Sequence, residues 1–471
     1  MKINIFLLGL LMVPLTFFAQ SEKRKPLTLE ACIDKALENN LGLQVTTLAA
    51  QTTEVQLKQQ KNSLLPNING RYNLGVTSGR SIDPFTNDFI NEQLTFSNVG
   101  LSLDAPIFNG FRRINSLKQA RFNLKASEME VEAARQTLAL NVTLGYLEIL
   151  NNKALLKLAK TRITTTQRQL DRLTTLFEEE SGDPVEYRNL QGQMANDKAN
   201  LITTENALET SLINLNTLVN PNEPITVVGL DDFDMDVNYS YTFDAIYMEA
   251  LSSFPSIKAS ELRTKAAKKG IAVAKADYTP DISLFANLSS NYSSAARLFT
   301  ASGSSLQETS SFVTVNGENL SVFDTQTNFD SASISYTDQL DNNLSTSYGV
   351  AMSLPVFNGF QAKNNVALEK IRTQEATVLE AQIKLELKQT IQQAYNTMLA
   401  DHDRYTILQH QVTAYKEAFR IAEIRFDEGL SNSIDYVVSK NNLDTAEISL
   451  ANSKFSYALR IKILEYYRAR I

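Results

Sequence analysis

Tryptophan is absent from this 471-residue chain, and cysteine and histidine are nearly so. The single cysteine, Cys32, cannot form an internal disulfide, so cysteine usage leaves the compartment open. A small apolar helix residue is its simplest reading. The two histidines, His402 and His410, sit eight residues apart in one helical pattern without a cluster of metal-ligand spacing, so no metal site is expected. Glycine-rich phosphate loops, nucleophile elbows and Ser/His/Asp sets are also missing, so neither an enzyme nor a cofactor is expected. Glycine (17) and proline (11) are scarce for the length, which favours helix over loop. A net charge of −7 without Lys/Arg clusters argues against a nucleic-acid partner. Past residue 20 there is no run of about 18 apolar residues, so no transmembrane helix is expected in the mature chain.

The N-terminus speaks to compartment. Met1-Lys2, an apolar run from Ile3 to Phe18, then Ala19-Gln20 and a charged Glu22-Lys23-Arg24-Lys25 read as a signal peptide over residues 1–19, cut after Ala19. Phe17 at the −3 position is larger than the usual small residue, and no cysteine follows for a lipid anchor. An exported chain without apolar helices can enter a membrane only as strands.

Beyond this segment the dominant feature is an internal repeat. Pro106-Ile107-Phe108-Asn109-Gly110-Phe111 recurs 249 residues later as Pro355-Val356-Phe357-Asn358-Gly359-Phe360. The same offset pairs Leu138 with Leu387, Tyr146 with Tyr395, Phe177 with Phe426, Tyr187 with Tyr436 and Leu201 with Leu450. Upstream the offset is 214, pairing Ala36 with Ala250 and Pro66 with Pro280, so 35 residues are inserted within the second copy. The chain reads as a tandem duplication of helix, two strands and a long helical hairpin, over residues 20–230 and 231–471.

Local signals fill in each copy. Residues 27–65 are helical in pattern, with Thr28 as N-cap, Glu30 in the first turn, a break at Asn39-Asn40-Leu41-Gly42 and an end at Pro66. Alternation follows. Ile68, Tyr72, Leu74 and Val76 share one face, as do Val99, Leu101, Leu103 and Ala105, with a polar turn region near 79–92 between them. In the second copy Ile282, Leu284, Ala286 and Leu288 alternate with polar residues, Phe285 intruding, and so do Tyr348, Val350, Met352 and Leu354. Period two with one apolar face suits a soluble half-buried sheet as well as a membrane barrel. The export signal, strands of about ten residues, and a polar face of small and amide side chains favour the barrel. The stretch 292–343, rich in Ser, Thr, Asn and Asp, reads as an external loop with room for short extra strands.

After Gly110 a helical pattern runs to about Phe177 with Gly145 its only weak point, roughly 100 Å of helix. Leu138, Val142, Tyr146, Ile149, Leu156 and Ile163 recur at coiled-coil spacing. A turn over 178–184 leads to a return helix, Val185–Leu218, and the second copy repeats this with 361–425, a turn near 427–433, and Ile434–Arg468. The acidic Asp231, Asp232, Asp234 and Asp236 read as a solvated connector between copies. Four strands cannot close a barrel, and open edges are forbidden in lipid. Several copies must therefore unite, their polar strand faces lining a water-filled conduit continued by the helices.

Leu27-Thr-Leu-Glu-Ala-Cys-Ile-Asp-Lys-Ala-Leu-Glu-Asn-Asn40, the two Pro-(Ile/Val)-Phe-Asn-Gly-Phe junctions, and Arg425-Phe426-Asp427-Glu428-Gly429-Leu430 followed by Ile434-Asp435-Tyr436 resemble the TolC-like outer membrane efflux proteins, over residues 27–468. The resemblance implies a mostly α fold with a transmembrane β-barrel sector: a homotrimer with a 12-stranded barrel in outer-membrane lipid and an α-helical tunnel in the periplasm. It implies docking on a periplasmic adaptor protein and an inner-membrane pump, and a passive export duct for small toxic molecules. In that family, acidic residues past the second tip form a constriction ring. Asp435 matches the first; Val438 stands where the second would be. The first-copy counterparts are Glu186 and, nearer the turn, Asp183 and residues 178–180. Gly429-Leu430 matches the adaptor-contacting tip, with Gly182 in the first-copy tip, which lacks a matching leucine. Without the resemblance, the same carboxylates read as a solvated tip and Gly429 as a helix terminator. Two other functions stay open at this point: a protein-secretion outlet of the same family, and a secreted coiled-coil structural protein with a small soluble sheet.

Overall fold

In the computed structural model, residues 25–82, 89–91, 93–228 and 239–468 are described. The signal segment over 1–19, the acidic connector and the 230/231 boundary of the repeats lie outside the described residues. The described chain forms two compact units, one from stretches within 1–52, 125–262 and 377–471, the other from 53–124 and 263–376. These units cut across the sequence repeats.

The elements form two series in the same order. Helix α1 (Leu29–Asn39) starts at Thr28, whose hydroxyl accepts the Ala31 N–H, and α2 (Leu41–Asn62) follows the break at Asn40. Their counterparts α5 (Phe243–Ser253) and α6 (Pro255–Lys275) start at a second threonine cap, Thr242. The long helices α3 (Arg112–Glu178) and α8 (Gln361–Asp427) have the same length, 67 residues. The return helices are α4 (Pro184–Val219) and α9 (Ser433–Tyr467). Gly145 does not interrupt α3; it faces Leu215 and Leu218 of α4, so packing holds the helix through it. Each Asn-Gly-Phe junction places two successive residues in the left-handed region, Gly110 and Phe111 at φ +62° and +60°, Gly359 and Phe360 at +62° and +63°. A phenylalanine there is strained, and an edge-on ring contact with Phe108 or Phe357 accompanies it in each copy.

In the helical unit the expected heptad positions Leu138, Val142, Tyr146 and Ile149 are buried, together with Cys32, Ala36, Leu215 and Val219. The core also takes in a parallel pair that sequence alternation does not reveal, β1 (Lys25–Leu27) against β6 (Ile225–Val227). Three-residue strands are too short for a period to show. The Tyr146 hydroxyl donates to the Val228 carbonyl at 2.7 Å, and burial pushes its pKa up to about 12. The second copy has its own core of Ile246, Ile257, Ile391, Met398, Tyr457 and Leu464.

The second unit is built on one antiparallel sheet in the order β10-β7-β5-β2: β2 (Asn67–Thr77), β5 (Leu94–Asn109), β7 (Asp281–Ser293) and β10 (Ser345–Ser353). The copies join in its centre, where β5 pairs with β7. Register aligns the alternation across all four strands. One face carries the row Ile68, Leu103, Ala286, Tyr348; the other carries Asn69, Ser102, Asn287, Ser347. Phe285 breaks the polar face because its cross-strand neighbour is Gly349 and its ring covers that glycine.

Two stretches that read as turn or loop in the sequence carry strands. The polar turn near 79–92 contains a short hairpin, β3 (Arg80–Ile82) with β4 (Phe89–Asn91). The expected external loop is dominated by a long two-stranded ribbon, β8 (Arg297–Val315) with β9 (Glu318–Ser333), closed by a two-residue Asn316-Gly317 turn with both residues at positive φ. Asn-Gly is the preferred sequence for such a turn. A short helix, α7 (Tyr336–Asn342), follows it.

Candidate functional site

The two helical turns, with the residues packed behind them, form the candidate site. Helix α8 ends with Gly429 at φ +72°. The Leu430 N–H donates to the Arg425 carbonyl at 2.8 Å and the Gly429 N–H to the Phe426 carbonyl at 3.1 Å. This double closure satisfies carbonyls that a helix end otherwise leaves unpaired, and it needs a left-handed residue where glycine stands. Leu430 is left 70% exposed, an apolar side chain projecting from the turn.

The first turn repeats the geometry with different chemistry. Ser181 N–H reaches the Leu176 carbonyl at 3.0 Å, and Glu180 N–H the Phe177 carbonyl at 3.2 Å. The left-handed residue is Glu180, at φ +56°. Glu180, not Gly182, therefore stands where Gly429 stands. Gly182 is half-buried, and a Cβ on it would lie 3.0 Å from the Leu176 carbonyl carbon, so its role in this turn is close backbone approach.

The expected acidic residues occupy helix starts. Asp183 caps α4, accepting the Val185 N–H at 2.8 Å, with Pro184 in the first turn. Asn432 caps α9 in the same way, taking the Asp435 N–H at 2.9 Å. Glu186 and Asp435 are repeat equivalents in the first turns of α4 and α9, where a negative charge is favoured. Their side chains differ in use. Asp435 is exposed and accepts from Ser431 Oγ at 3.1 Å. Glu186 is half-buried and accepts the Ser433 N–H at 3.2 Å, so it reaches the second turn, two residues from Asp435. Val438 is exposed. Behind the turns Leu173, Leu190, Phe426 and Tyr436 form a small core, with the Phe426 and Tyr436 rings stacked at 5.0 Å. The Tyr436 hydroxyl is buried without a partner among the described residues, and desolvation drives its pKa upward. Arg172 binds Asp427 at 2.7 Å, clasping the end of α8.

Further along the same helices lies a cluster that sequence reasoning missed. Lys440, 2% exposed, contacts Asp197 at 3.1 Å and Asp444 at 2.8 Å. Arg162 binds Asp444 at 3.1 Å, and Asp197 accepts from Thr166 Oγ1 at 2.5 Å and Gln193 Nε2 at 2.9 Å. The Gln193 amide also donates to Asn441 at 3.1 Å. These buried charges join α3 and α4 to α9. Glu447, one turn beyond Asp444, has a raised pKa, chiefly from burial and then from the Asp444 charge. A signal was present: under the 249-residue offset Arg162, Asp197, Lys440 and Asp444 fall on Gln411, Ala446, Gln191 and Ala195, so each ion breaks the repeat.

Comparison with known proteins gives concordant results. The profile of the family described as "Outer membrane efflux protein" matches residues 32–220 and 246–461. The chain is 24% identical over 462 residues to outer membrane protein OprJ of Pseudomonas aeruginosa, covering 94% of this chain and 83% of that one. It is 25% identical over 277 residues to the pyoverdine export outer membrane protein OpmQ of the same species, a match spanning 58% of each chain. In structure it resembles the outer membrane protein VceC of Vibrio cholerae, with a TM-score of 0.72 at 15% identity over 93% of this chain and 95% of that one.

Proposed function

The chain belongs to the outer membrane efflux protein family, and from that premise we propose that it is the passive outlet of a tripartite pump for small toxic molecules. As a member of that family it is an outer-membrane channel with its helical part in the periplasm. The observation carrying the proposal is the four-stranded sheet, with one apolar face, one polar face and, among the described residues, no partner on the outer edges of β10 and β2. Backbone groups on those edges cannot stay unpaired in hydrocarbon. Three copies closing one twelve-stranded barrel pair every edge and turn the polar rows inward. A periplasmic adaptor protein and an inner-membrane pump complete the system, and the chain itself performs no chemistry.

The repeats over 20–230 and 231–471 supply two hairpins per copy. Exposed Leu430 at the Gly429 turn is the adaptor contact in this reading, and the first-copy turn around Gly182 contributes differently because it presents Ser181 instead. Asp435 is the carboxylate that forms the constriction ring: it is exposed, whereas Glu186 is engaged with Ser433 and Asp183 with its own cap. Rings of carboxylates select and hold cations. A small-molecule cargo is favoured over secreted protein because a relative bears the name of a pyoverdine exporter.

Planar-bilayer recording tests this reading. The purified protein should form cation-preferring channels as a heat-resistant trimer from outer membranes. Asp435→Ala should raise conductance or weaken block by multivalent cations, with unchanged current and block removing the ring. A detergent-free soluble monomer would overturn the duct.

A further inference from the structure

The β8–β9 ribbon is the largest feature without a role in the channel reading. Its 19-residue strand is about 60 Å long, far more than a bilayer crossing requires. Cross-strand register sorts its side chains into two faces. All four of its phenylalanines, Phe299, Phe312, Phe323 and Phe329, fall on one face together with Leu306, since they pair with or alternate from the same positions of β9. Their exposures run from 56% to 71%. Glu318, Asp324 and Asp330 fall on the other face with Gln307, Gln326 and Asn328. The one carboxylate on the aromatic face, Glu308, is bonded to the Ser321 hydroxyl. The second face also carries Leu298 at the base and Val313, Val315, Leu320 and Val322 toward the turn, so the separation is sharpest in the middle of the ribbon.

The ribbon is held at its base. Gln339 of α7, 1% exposed, accepts the Ser293 N–H at 2.9 Å and donates to the Ser293 carbonyl at 3.1 Å. Asn343 Nδ2 donates to the Asn291 carbonyl at 2.8 Å, and Ser290 Oγ to the Leu340 carbonyl at 2.6 Å. The Ser294 N–H donates to the Thr95 carbonyl at 2.9 Å, fixing the link to β5 as well. An anchored, amphipathic β-ribbon is a surface, not a slack loop.

We propose that the aromatic faces of the β8–β9 ribbons from three copies of this chain pack against one another beyond the barrel rim. The inference rests on the trimeric duct. Continuity with that interface supplies the occupant: β8 begins four residues after β7, a strand of the sheet whose edges the other copies must pair. Five large apolar side chains exposed to this degree present roughly 600 Å² per ribbon, at the upper end of what an isolated monomer leaves in water and approaching the 800 Å² per partner of a stable interface. Charge favours the second copy over a lipid surface. With Arg297 against Glu308, Glu318, Asp324 and Asp330, the ribbon is acidic and would be repelled by anionic headgroups. In a three-ribbon bundle Glu318, Asp324 and Asp330 all face water.

Single cysteines in a Cys32→Ala background test this. Thr325 lies on the aromatic face beside Leu306, and Gln326 on the opposite face. In outer membranes treated with copper phenanthroline, Thr325→Cys should give disulfide-linked dimers while Gln326→Cys gives none. In the heat-resistant trimer, maleimide should react more slowly at Thr325→Cys than at Gln326→Cys. An intact trimer in which both positions label equally and neither crosslinks overturns the ribbon bundle but leaves the duct standing. Quenching of a bimane on Thr325→Cys by brominated lipid shows that the face lies on the membrane, and also overturns it. A chain that never forms trimers overturns both readings.

Discussion

Lys440→Met removes the central cation of the buried network while keeping the length and apolar stem of the side chain. Two carboxylates then lose a partner at 3.1 and 2.8 Å in a site where Lys440 and Asp197 are 2% exposed. Breaking a buried ion pair by deleting one member costs about 3–5 kcal/mol. Here Asp197 keeps the Thr166 and Gln193 donors, and Asp444 keeps Arg162, so the expected loss lies near the lower bound, about 3 kcal/mol. Hydrogen exchange on the detergent-solubilised protein reads this locally: amides of α4 around Gln193 and of α9 around Asn441 should exchange with an opening free energy lower by that amount. Amides in the Cys32–Tyr146 core serve as the internal control. A double-mutant cycle with Asp197→Asn should show non-additivity of about 1–3 kcal/mol, as expected for residues in direct contact. A loss below about 1 kcal/mol, the range of exposed pairs, would refute the claim that these ions are buried and mutually dependent.

Glu180→Gly should stabilise the first turn by about 1 kcal/mol, because glycine carries no penalty at φ +56°, and Gly429→Ala should destabilise the second by a similar amount; thermal melts of the two variants shifting in the same direction would contradict the assignment. Glu447 has a raised folded pKa, so the folded state binds its proton more tightly than the unfolded chain. Its contribution must therefore weaken as pH rises above the ordinary carboxyl value of 4.5, and Glu447→Gln should flatten that part of the stability–pH curve. Burial holds the Cys32 thiol up at about 11, so folded protein at pH 8 should resist maleimide and react only after unfolding; rapid labelling of the native protein would show the helix α1 core to be open.

The duplication, the strand alternation, the Thr28 cap, the break at Asn40 and the long hairpins are all readable along the chain, because each depends on neighbours within a few residues or on a repeat of fixed offset. The Asp183 cap and the left-handed Gly429 are local in the same sense. Two pairings are not. The β1–β6 pair joins segments about 200 residues apart, and strands of three residues carry no period. The Asn316-Gly317 turn was a hairpin signal within a polar stretch, but only the register of β8 on β9 brings the four phenylalanines to one face, since the bulges in β8 shift its alternation.

The tips show the division most clearly. Glu180 takes the place of Gly429, a pairing already contained in the 249-residue offset, but only the fold shows that Gly182 serves close backbone approach and not the left-handed position. Sequence by itself determined the family, the repeat and which strand faces are apolar, all properties of pattern. Tertiary structure alone decided which charges are withdrawn from water. Lys440 and Asp197 are 243 positions apart, and the burial that makes a lysine a structural cation is made by three helices converging on it, not by anything written beside it in the chain.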